Sequence, residues 1–162
     1  MDGSIVSQDF TAMVDDRVGD GVFRVERSVY TDPTVFDAEM ERIYEKGWVY
    51  LCHESQVPDA GSFFACEIGL QPVLVIRQKD KTLKGFINAC SHRGALLTAT
   101  KCGTATTLTC RFHGWAYGCD GHCIRIKAEQ EGFPEADFER SQYDLTGIAA
   151  LESYRGFVFG SL

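Results

Sequence analysis

Two short stretches of the sequence combine cysteine with histidine, two side chains that commonly bind transition metals. Cys90 and His92 have one residue between them, and Cys110 and His113 have two. Seventeen residues lie between the stretches. Thiolate and imidazole ligands suit zinc and iron–sulfur centres. The spacing therefore predicts one metal centre built from both stretches.

The order of these side chains separates the possible metals. Zinc fingers commonly pair Cys with Cys and His with His, whereas here each stretch supplies one of each. A 2Fe-2S centre can use this division if one iron takes both cysteines and the other takes both histidines, which is the Rieske ligation. We therefore assign Cys90 and Cys110 to one iron, and His92 and His113 to the other. A zinc-stabilised binding module and an accidental set of buried Cys and His are the alternatives.

A third stretch, "CDGHC" at residues 119–123, also combines cysteine with histidine. Asp120-Gly121 is a strong two-residue hairpin signal, and such a turn places Cys119 and His122 at its flanks. We predict a plain hairpin here and no second metal site. The remaining candidates, which we expect to be structural, are His53, Cys52, Cys66 and Cys102.

Composition limits the class of protein. The chain has 162 residues, enough for one domain with a sizeable core. Its net charge of -7 argues against nucleic acid as a partner, because readers of phosphate backbones carry basic patches. No apolar run approaches the roughly 20 residues of a membrane span, and the opening lacks the features of a signal peptide. Seven cysteines without such a peptide indicate the cytoplasm.

The first part of the chain predicts an arm and one helix. Residues 1–31 are polar, and only "VFRVERSVY" alternates enough for a short strand. "DPTVFDAEMERIYEKG" then predicts an amphipathic helix with Asp32 or Thr34 as N-cap and Pro33 in the first turn. Its apolar face would consist of Phe36, Met40, Ile43 and Tyr44.

From Trp48 onward, short apolar runs separated by turn signals predict an antiparallel all-β body. The segment at 127–144 is charged, contains a proline and lacks alternation, so we predict a long surface loop with a helical turn. Cys90 and Cys110 each follow a predicted strand, and two loops at one end of a β body can converge. The predicted strands are "WVYLCHE", "SFFACEI", "PVLVIRQ", "LKGFINA", "ATTLTC", "GHCIRIK", "LTGIAALES" and "GFVFGSL".

"NACSHRGALL" followed by "CRFHGWAY" resembles the Rieske fingerprint of the α subunits of aromatic-ring-hydroxylating oxygenases. The resemblance runs from about Phe36 to Leu162 and is strongest with the benzoate, toluate and anthranilate group. It implies a mainly β fold, a Rieske-type antiparallel sandwich or barrel with a cluster-binding subdomain, preceded by one N-terminal helix. We divide the chain into residues 1–46, the arm and helix, and residues 47–162, the 2Fe-2S domain. The domain contains a first ligand loop (89–95) and a second ligand loop (110–117).

The same resemblance implies cofactors and partners. Such α subunits accept electrons from a ferredoxin or a flavin/iron-sulfur reductase and pass them to a mononuclear non-haem iron that hydroxylates an aromatic substrate. That iron lies in a C-terminal domain whose His and carboxylate pattern is absent from this sequence, so we expect a fragment of a longer enzyme. The Rieske centre faces the catalytic domain of a neighbouring α subunit, and some of these enzymes add a small β subunit. A free-standing Rieske electron carrier is the alternative.

Side chains next to the four proposed ligands suggest further roles. Gly94 and Gly114 would let the loop backbone approach the cluster, and Trp115 and Tyr117 would shield one side of it. Arg93 and Arg111 lie inside the ligand loops, and with Lys101, Arg125 and Lys127 they could present a positive rim to an acidic electron donor.

The resemblance also bears on the reduction potential. High-potential Rieske proteins carry an extra cysteine in each loop and a serine that donates to a sulfide, and this chain has Ala95, Phe112 and Trp115 at those places. With fewer donors to stabilise the reduced cluster, we predict a potential near the low end of the Rieske range, about -150 mV.

Overall fold

Strands form most of the regular structure in the computed structural model, which describes residues 9–133 and 138–162. The chain divides into two compact units, Met1–Ile43 and Tyr44–Leu162. The predicted mainly β class with antiparallel sheets is confirmed. Our boundary between residues 46 and 47 stays a prediction, and the parts of the predicted arm and loop at 1–8 and 134–137 lie outside the described residues.

The first unit contains a β-hairpin followed by a helix. Strands β1 (Val14–Arg17) and β2 (Val22–Val25) pair antiparallel, and only β2 was predicted. Helix α1 (Pro33–Glu39) begins as predicted, because an Asp32 carboxylate oxygen accepts a hydrogen bond from the backbone N–H of Thr34 at 2.8 Å. Short 3-10 helices occupy Thr11–Met13, Val18–Asp20 and Arg27–Tyr30.

The predicted apolar face of this helix is wrong. Phe36 is 45% exposed and Ile43 58%, whereas Val35 is buried. A π-helical turn at Met40–Tyr44 follows α1 directly. Because π-helical hydrogen bonds span five residues instead of four, they rotate Ile43 and Tyr44 away from the face that a 3.6-residue period predicts. Phe36 precedes this turn, so the α-helical part buries Val35 in its place.

The described residues of the second unit form ten strands in three antiparallel sheets. The strands are β3 (Val49–His53), β4 (Ser62–Ile68), β5 (Gln71–Arg77), β6 (Leu83–Ile87), β7 (Cys102–Thr104), β8 (Thr107–Thr109), β9 (Ala116–Gly118), β10 (Cys123–Arg125), β11 (Ala150–Tyr154) and β12 (Phe157–Ser161). The sheet orders are β6-β5-β4-β7, β11-β12-β3 and β10-β9-β8. All eight predicted strands are present, and the structure adds two short ones, β7 and β9.

Strand β5 contributes to two hydrophobic cores. Val73 and Val75 are fully buried in one core with residues of β3 and β12. Leu74 and Ile76 are buried in the other, which contains the cysteines of both ligand loops. Successive residues of a strand point to opposite faces of the sheet. The four-stranded sheet therefore separates a structural core from the core on which the ligand loops rest.

The 127–144 segment contains the predicted helical turn as α2 (Glu129–Gly132), with a 3-10 helix at Arg140–Tyr143. It is not only a surface loop, because Phe133, Phe138 and Tyr143 are partly buried against the second core. Within residues 9–133 and 138–162, no helix is long and apolar enough to cross a membrane.

Candidate metal centre

The two ligand loops follow β6 and β8 and have matching backbones. In each loop the cysteine N–H, of Cys90 or Cys110, donates to the carbonyl five residues ahead. In each, the N–H of the glycine four residues ahead, Gly94 or Gly114, donates back to the cysteine carbonyl. These four hydrogen bonds measure 2.7 to 2.9 Å. Two loops with the same backbone hydrogen bonds therefore carry their histidines at different positions. Counted from the cysteine as the first residue, His92 is the third and His113 is the fourth.

Both loop glycines have left-handed backbone conformations. The φ angle is +70° at Gly94 and +75° at Gly114. A side chain is disfavoured there because its Cβ would crowd the backbone. A Cβ on Gly94 would meet no other atom within 4 Å, so the requirement at that position comes from the backbone alone.

The two cysteine sulfurs lie side by side in the second core. Cys90 is 3% exposed and Cys110 2%. Burial raises the pKa of the Cys90 thiol, and the neighbouring Cys110 raises it further. Hydrogen bonds from the Tyr117 hydroxyl and the backbone N–H of His92 act in the opposite direction, because they favour a thiolate at Cys90. The site holds two sulfurs together and supplies donors for a negatively charged one.

The two imidazoles also lie together. The ring centroids of His92 and His113 are 4.8 Å apart, with an interplanar angle of 71°. Among the residues that the structure describes, Nδ1 of His113 is the one buried side-chain nitrogen or oxygen without a hydrogen-bond partner. Burial, with the charges of Arg93 and His113, lowers the pKa of His92. Neutral imidazoles with a free nitrogen are the form that binds metals.

Trp115 covers one face of His92. The indole and imidazole rings are stacked, with centroids 4.7 Å apart and planes within 8° of parallel. Trp115 is 3% exposed, and its other contacts are edge-on to Phe133 and Tyr143. The 127–144 segment thus supports the tryptophan that orients a candidate ligand.

A chain of hydrogen bonds ends at the sulfur of Cys90. The Tyr117 hydroxyl lies 3.1 Å from Cys90 Sγ and 2.8 Å from the Ser91 hydroxyl, which donates to the Tyr143 carbonyl. Tyr117 is fully buried, and burial raises its pKa, so the phenol keeps its proton. The sequence predicted only shielding for Tyr117, and it did not single out Ser91 or Tyr143.

These side chains fit a 2Fe-2S cluster. In the part of the chain that the structure describes, no three His, Cys, Asp or Glu side chains converge on a single metal position. A Rieske cluster needs only two protein ligands on each iron, both cysteines on one and both histidines on the other. The paired sulfurs, the paired imidazoles and the unpartnered nitrogen of His113 meet that need.

Charged side chains border the candidate centre. Arg111, Lys127 and Glu131 line a cleft of about 660 Å³ together with both histidines. Arg93 is exposed on the first ligand loop, and Arg125 is exposed on β10. Lys101 lies elsewhere, over the ring of Phe64. Of the predicted basic rim, the structure places Arg111 and Lys127 in this cleft.

The other Cys and His residues have structural environments. A hairpin forms at residues 118–122, with the Gly121 N–H bonded to the Gly118 carbonyl, so its turn begins earlier than we predicted. His122 contacts Asp144 at 2.6 Å, and Cys119 donates to the Ala105 carbonyl.

The remaining candidates lie on or beside the strands. His53 caps a 3-10 helix at Glu54–Gln56. Burial raises the pKa of Cys52 to about 11 and that of Cys66 to about 12. Cys102 is exposed. The structural role of these four residues stays a prediction.

Comparison with protein families gives a match to the Rieske [2Fe-2S] domain over residues 47–154. The α subunit of toluate 1,2-dioxygenase from Pseudomonas putida is 41% identical over 152 residues, which is 93% of this chain and 34% of that subunit. The large subunit of anthranilate 1,2-dioxygenase from Acinetobacter baylyi is 44% identical over 149 residues, 92% of this chain and 31% of that subunit. The chain spans about a third of the length of these relatives.

Comparison with solved structures also matches the chain to Rieske oxygenases. Naphthalene 1,2-dioxygenase from Rhodococcus sp. matches with a TM-score of 0.80 and 33% identity, over 85% of this chain and 31% of that one. A quaternary ammonium Rieske monooxygenase, CntA, matches with a TM-score of 0.73 and 29% identity, over 83% of this chain and 36% of that one. The same domain therefore occurs in proteins named as dioxygenases and as monooxygenases.

Proposed function

Because the chain belongs to the Rieske [2Fe-2S] domain family, we propose that it accepts electrons one at a time and passes them on within a ring-hydroxylating oxygenase. The observation that carries this proposal is the matched pair of loops, which holds two buried sulfurs in one core and two imidazoles next to each other. Electron transfer needs a centre that is held rigidly and lies near the surface. Buried cysteines and half-buried histidines supply both properties.

We assign Cys90 and Cys110 to one iron, and His92 and His113 to the other. When bound, the cluster supplies a one-electron centre whose potential in this family lies between about -150 and +300 mV. The oxidised cluster with two thiolates is neutral, whereas four thiolates would leave a charge of -2, so the imidazoles favour reduction. Tyr117 and the His92 N–H stabilise negative charge at Cys90, and Trp115 keeps water from one face of His92.

The parent activity that we propose is hydroxylation of an aromatic carboxylate. Two of the relatives described above are named for toluate and anthranilate. Substrate selection and the mononuclear iron would belong to the part of those subunits that this chain does not span. Electrons would pass from the Rieske centre to that iron in a neighbouring α subunit, and a small β subunit could complete the assembly. Seven free cysteines support a location in the reducing cytoplasm.

For the electron donor we propose an acidic ferredoxin or reductase. Arg93 and Arg111 are exposed on the two ligand loops, and Lys127 lies beside Arg111 in the cleft. The chain as a whole carries a net charge of -7, and Glu131 is the one acidic residue among those described that lines this cleft with Arg111 and Lys127. Opposite charges steer two proteins into the correct orientation and raise the rate of association.

Reconstitution with iron and sulfide under anaerobic conditions tests the proposal. We expect two irons and two sulfides per chain, visible absorption, and an EPR signal after reduction that has the form given by mixed Cys and His ligation. Alanine at Cys90, Cys110, His92 or His113 should abolish that signal. Cys123→Ala and His122→Ala are matched controls, since Cys123 is buried in the same core and the His122 ring contacts Asp144 instead of a proposed ligand.

Two results would contradict the proposal. A colourless protein that binds one zinc ion would instead support a zinc-stabilised module. Loss of the signal in the Cys123 and His122 variants as well would mean that the four assigned residues are not specific ligands.

A further inference from the structure

A series of hydrogen-bond contacts connects the Tyr143 carbonyl, the Ser91 hydroxyl and the Tyr117 hydroxyl to the sulfur of Cys90. The Ser91 hydroxyl lies 2.5 Å from the Tyr143 carbonyl oxygen and 2.8 Å from the Tyr117 hydroxyl. The Tyr117 hydroxyl in turn lies 3.1 Å from Cys90 Sγ. All three contacts are within hydrogen-bond distance, so the direction of each one depends on where the protons are.

The carbonyl fixes the direction of the first contact. A carbonyl oxygen can only accept a hydrogen bond, so the single proton of the Ser91 hydroxyl points to Tyr143. Toward Tyr117, Ser91 then presents only a lone pair. The 2.8 Å contact between the two hydroxyls must therefore use the proton of Tyr117.

Tyr117 consequently has one proton and two acceptors. The serine oxygen is one acceptor, and the sulfur of Cys90 is the other. A cysteine that binds iron does so as a thiolate and has no proton of its own to donate. Any share of the tyrosine proton that goes to Ser91 is thus withdrawn from Cys90.

We propose that Ser91 is a positioning residue that lowers the reduction potential of the centre by competing with Cys90 for the proton of Tyr117. This inference rests on the proposed function, because it takes Cys90 as an iron ligand. A hydrogen bond to a ligand sulfur stabilises the reduced, more negative centre and raises its potential. Ser91, held by the Tyr143 carbonyl, keeps that hydrogen bond weaker than it would otherwise be.

The competing arrangement has the opposite consequence. If Ser91 released the carbonyl and donated to Tyr117, the two hydroxyls would form a continuous chain toward Cys90. Hydrogen bonds in such chains strengthen each other. Ser91 would then raise the potential, and its removal would lower it. The sign of the change on removing the hydroxyl therefore distinguishes the two arrangements.

The experiment measures the midpoint potential of the cluster-loaded chain by a redox titration followed by EPR and visible spectra. For Ser91→Ala we expect the equilibrium constant for reduction to rise about threefold to tenfold, which is roughly 30 to 60 mV at 59 mV per tenfold for one electron. For Tyr117→Phe we expect a fall of similar size. The double variant should match Tyr117→Phe, because Ser91 acts only through the tyrosine.

Controls and a second variant keep the result decisive. Ser55→Ala removes a hydroxyl that contacts His53 and should leave the potential unchanged. Ser91→Thr keeps the hydroxyl and should behave like the wild type. If Ser91→Ala fails to assemble the cluster, Ser91→Cys substitutes a weaker acceptor and should give a smaller rise.

The outcomes separate this inference from the proposed function. A wild-type chain that never acquires a Rieske spectrum would overturn both. A wild-type chain with that spectrum, in which Ser91→Ala lowers the potential or leaves it unchanged, would overturn only the role of Ser91. The role of Ser91 would also be overturned if Ser91→Ala changed the midpoint potential by the same amount in the wild type and in Tyr117→Phe.

Discussion

The indole of Trp115 lies parallel to the imidazole of His92, with ring centroids 4.7 Å apart. One face of a proposed iron ligand is thus covered by a side chain that is 3% exposed. Edge-on contacts with Phe133 and Tyr143 hold the indole in turn. The orientation of His92 therefore depends on residues up to 51 positions away in the sequence, not only on its own loop.

Replacing Trp115 by leucine should make the cluster less stable. The substitution leaves His92 free to rotate and admits water to its ring, and loss of a side chain that orients a metal ligand typically costs 10- to 100-fold in metal affinity. We expect Trp115→Leu to lose visible absorption about tenfold faster than the wild type in the presence of an iron chelator. Trp115→Phe retains a flat ring and should stay within about threefold of the wild type. Equal rates of loss for the leucine and wild-type proteins would exclude this role.

Adding a side chain to either loop glycine should destabilise the protein. The left-handed conformation costs a non-glycine residue about 1 to 2 kcal/mol, and Gly94→Ala introduces no steric clash that would obscure this cost. We expect Gly94→Ala and Gly114→Ala to lower the free energy of unfolding in urea by that amount. Gly94→Asn should cost less, because asparagine tolerates this conformation better.

Gly19→Ala serves as the control for the glycine variants. Gly19 has no left-handed φ, and a Cβ added there would meet no atom within 4 Å, so its substitution should be close to neutral. If the two loop variants were as stable as Gly19→Ala, the matched loop conformation would not be a requirement of the fold.

The four proposed ligands and the strands before them could be identified from the sequence, because they depend on local signals. Cysteine and histidine spacing is visible in the letters, and the strands before the loops alternate or are continuously apolar. The shared backbone conformation of the two ligand loops was harder to predict, because the number of residues between Cys and His differs between them. The Cys-to-Gly spacing, Cys90 to Gly94 and Cys110 to Gly114, is the same and would have revealed it.

The support behind the ligands could not be predicted, because it depends on distant contacts. Ser91 donates a hydrogen bond to the carbonyl of Tyr143, which is 52 residues later in the sequence. No local sequence pattern predicts that these two residues come into contact. Strands β7 and β9 have three residues each, and neither lies within a longer run such as those that revealed the equally short β8 and β10. The apolar face of the first helix was predicted wrongly at Ile43 and Tyr44, since a π-helical turn cannot be recognised from a 3.6-residue period.

Glu54 should make stability depend on pH at the end of β3. Its carboxylate accepts hydrogen bonds from Ser153 and from Arg77, which lower its pKa from the ordinary value of 4.5. A depressed pKa in the folded state means that the carboxylate stabilises the protein above pH 4.5 and loses this effect as the pH falls through the folded-state value. His53 and Arg77 are the charged neighbours, and both favour the ionised form.

Urea unfolding of Glu54→Gln between pH 3 and 7 checks this dependence. We expect the variant to be less stable than the wild type by about 1 kcal/mol or less above pH 5, because the carboxylate is 38% exposed and the solvent screens it. The difference should shrink below pH 4. Ser153→Ala removes the largest contribution and should reduce the pH dependence without abolishing it. A difference that stays constant from pH 3 to 7 would contradict the assignment.

Reversing the charges of Arg93 and Arg111 should slow reduction by an acidic donor. Both side chains are exposed on the ligand loops, so an approaching negative surface meets them before it reaches His92 or His113. Electrostatic steering raises association rates by 10-fold or more at low salt. We expect the Arg93→Glu/Arg111→Glu double variant to react about tenfold more slowly with a reduced acidic ferredoxin at low ionic strength, as followed by stopped-flow absorption.

Two controls accompany the charge reversal: a series of salt concentrations, and a charge reversal at another site on the surface. The difference should narrow toward 0.5 M salt, where screening shortens the range of the charges to a few ångströms. Lys79→Glu reverses an exposed charge that lines a different cleft, to which neither ligand loop contributes a residue, and should react at close to the wild-type rate at every salt concentration. Because all three substitutions make the chain more acidic, a similar slowing in Lys79→Glu would attribute the effect to net charge instead of a docking surface. A double variant that reacts as fast as the wild type at low salt would show that the donor approaches from elsewhere.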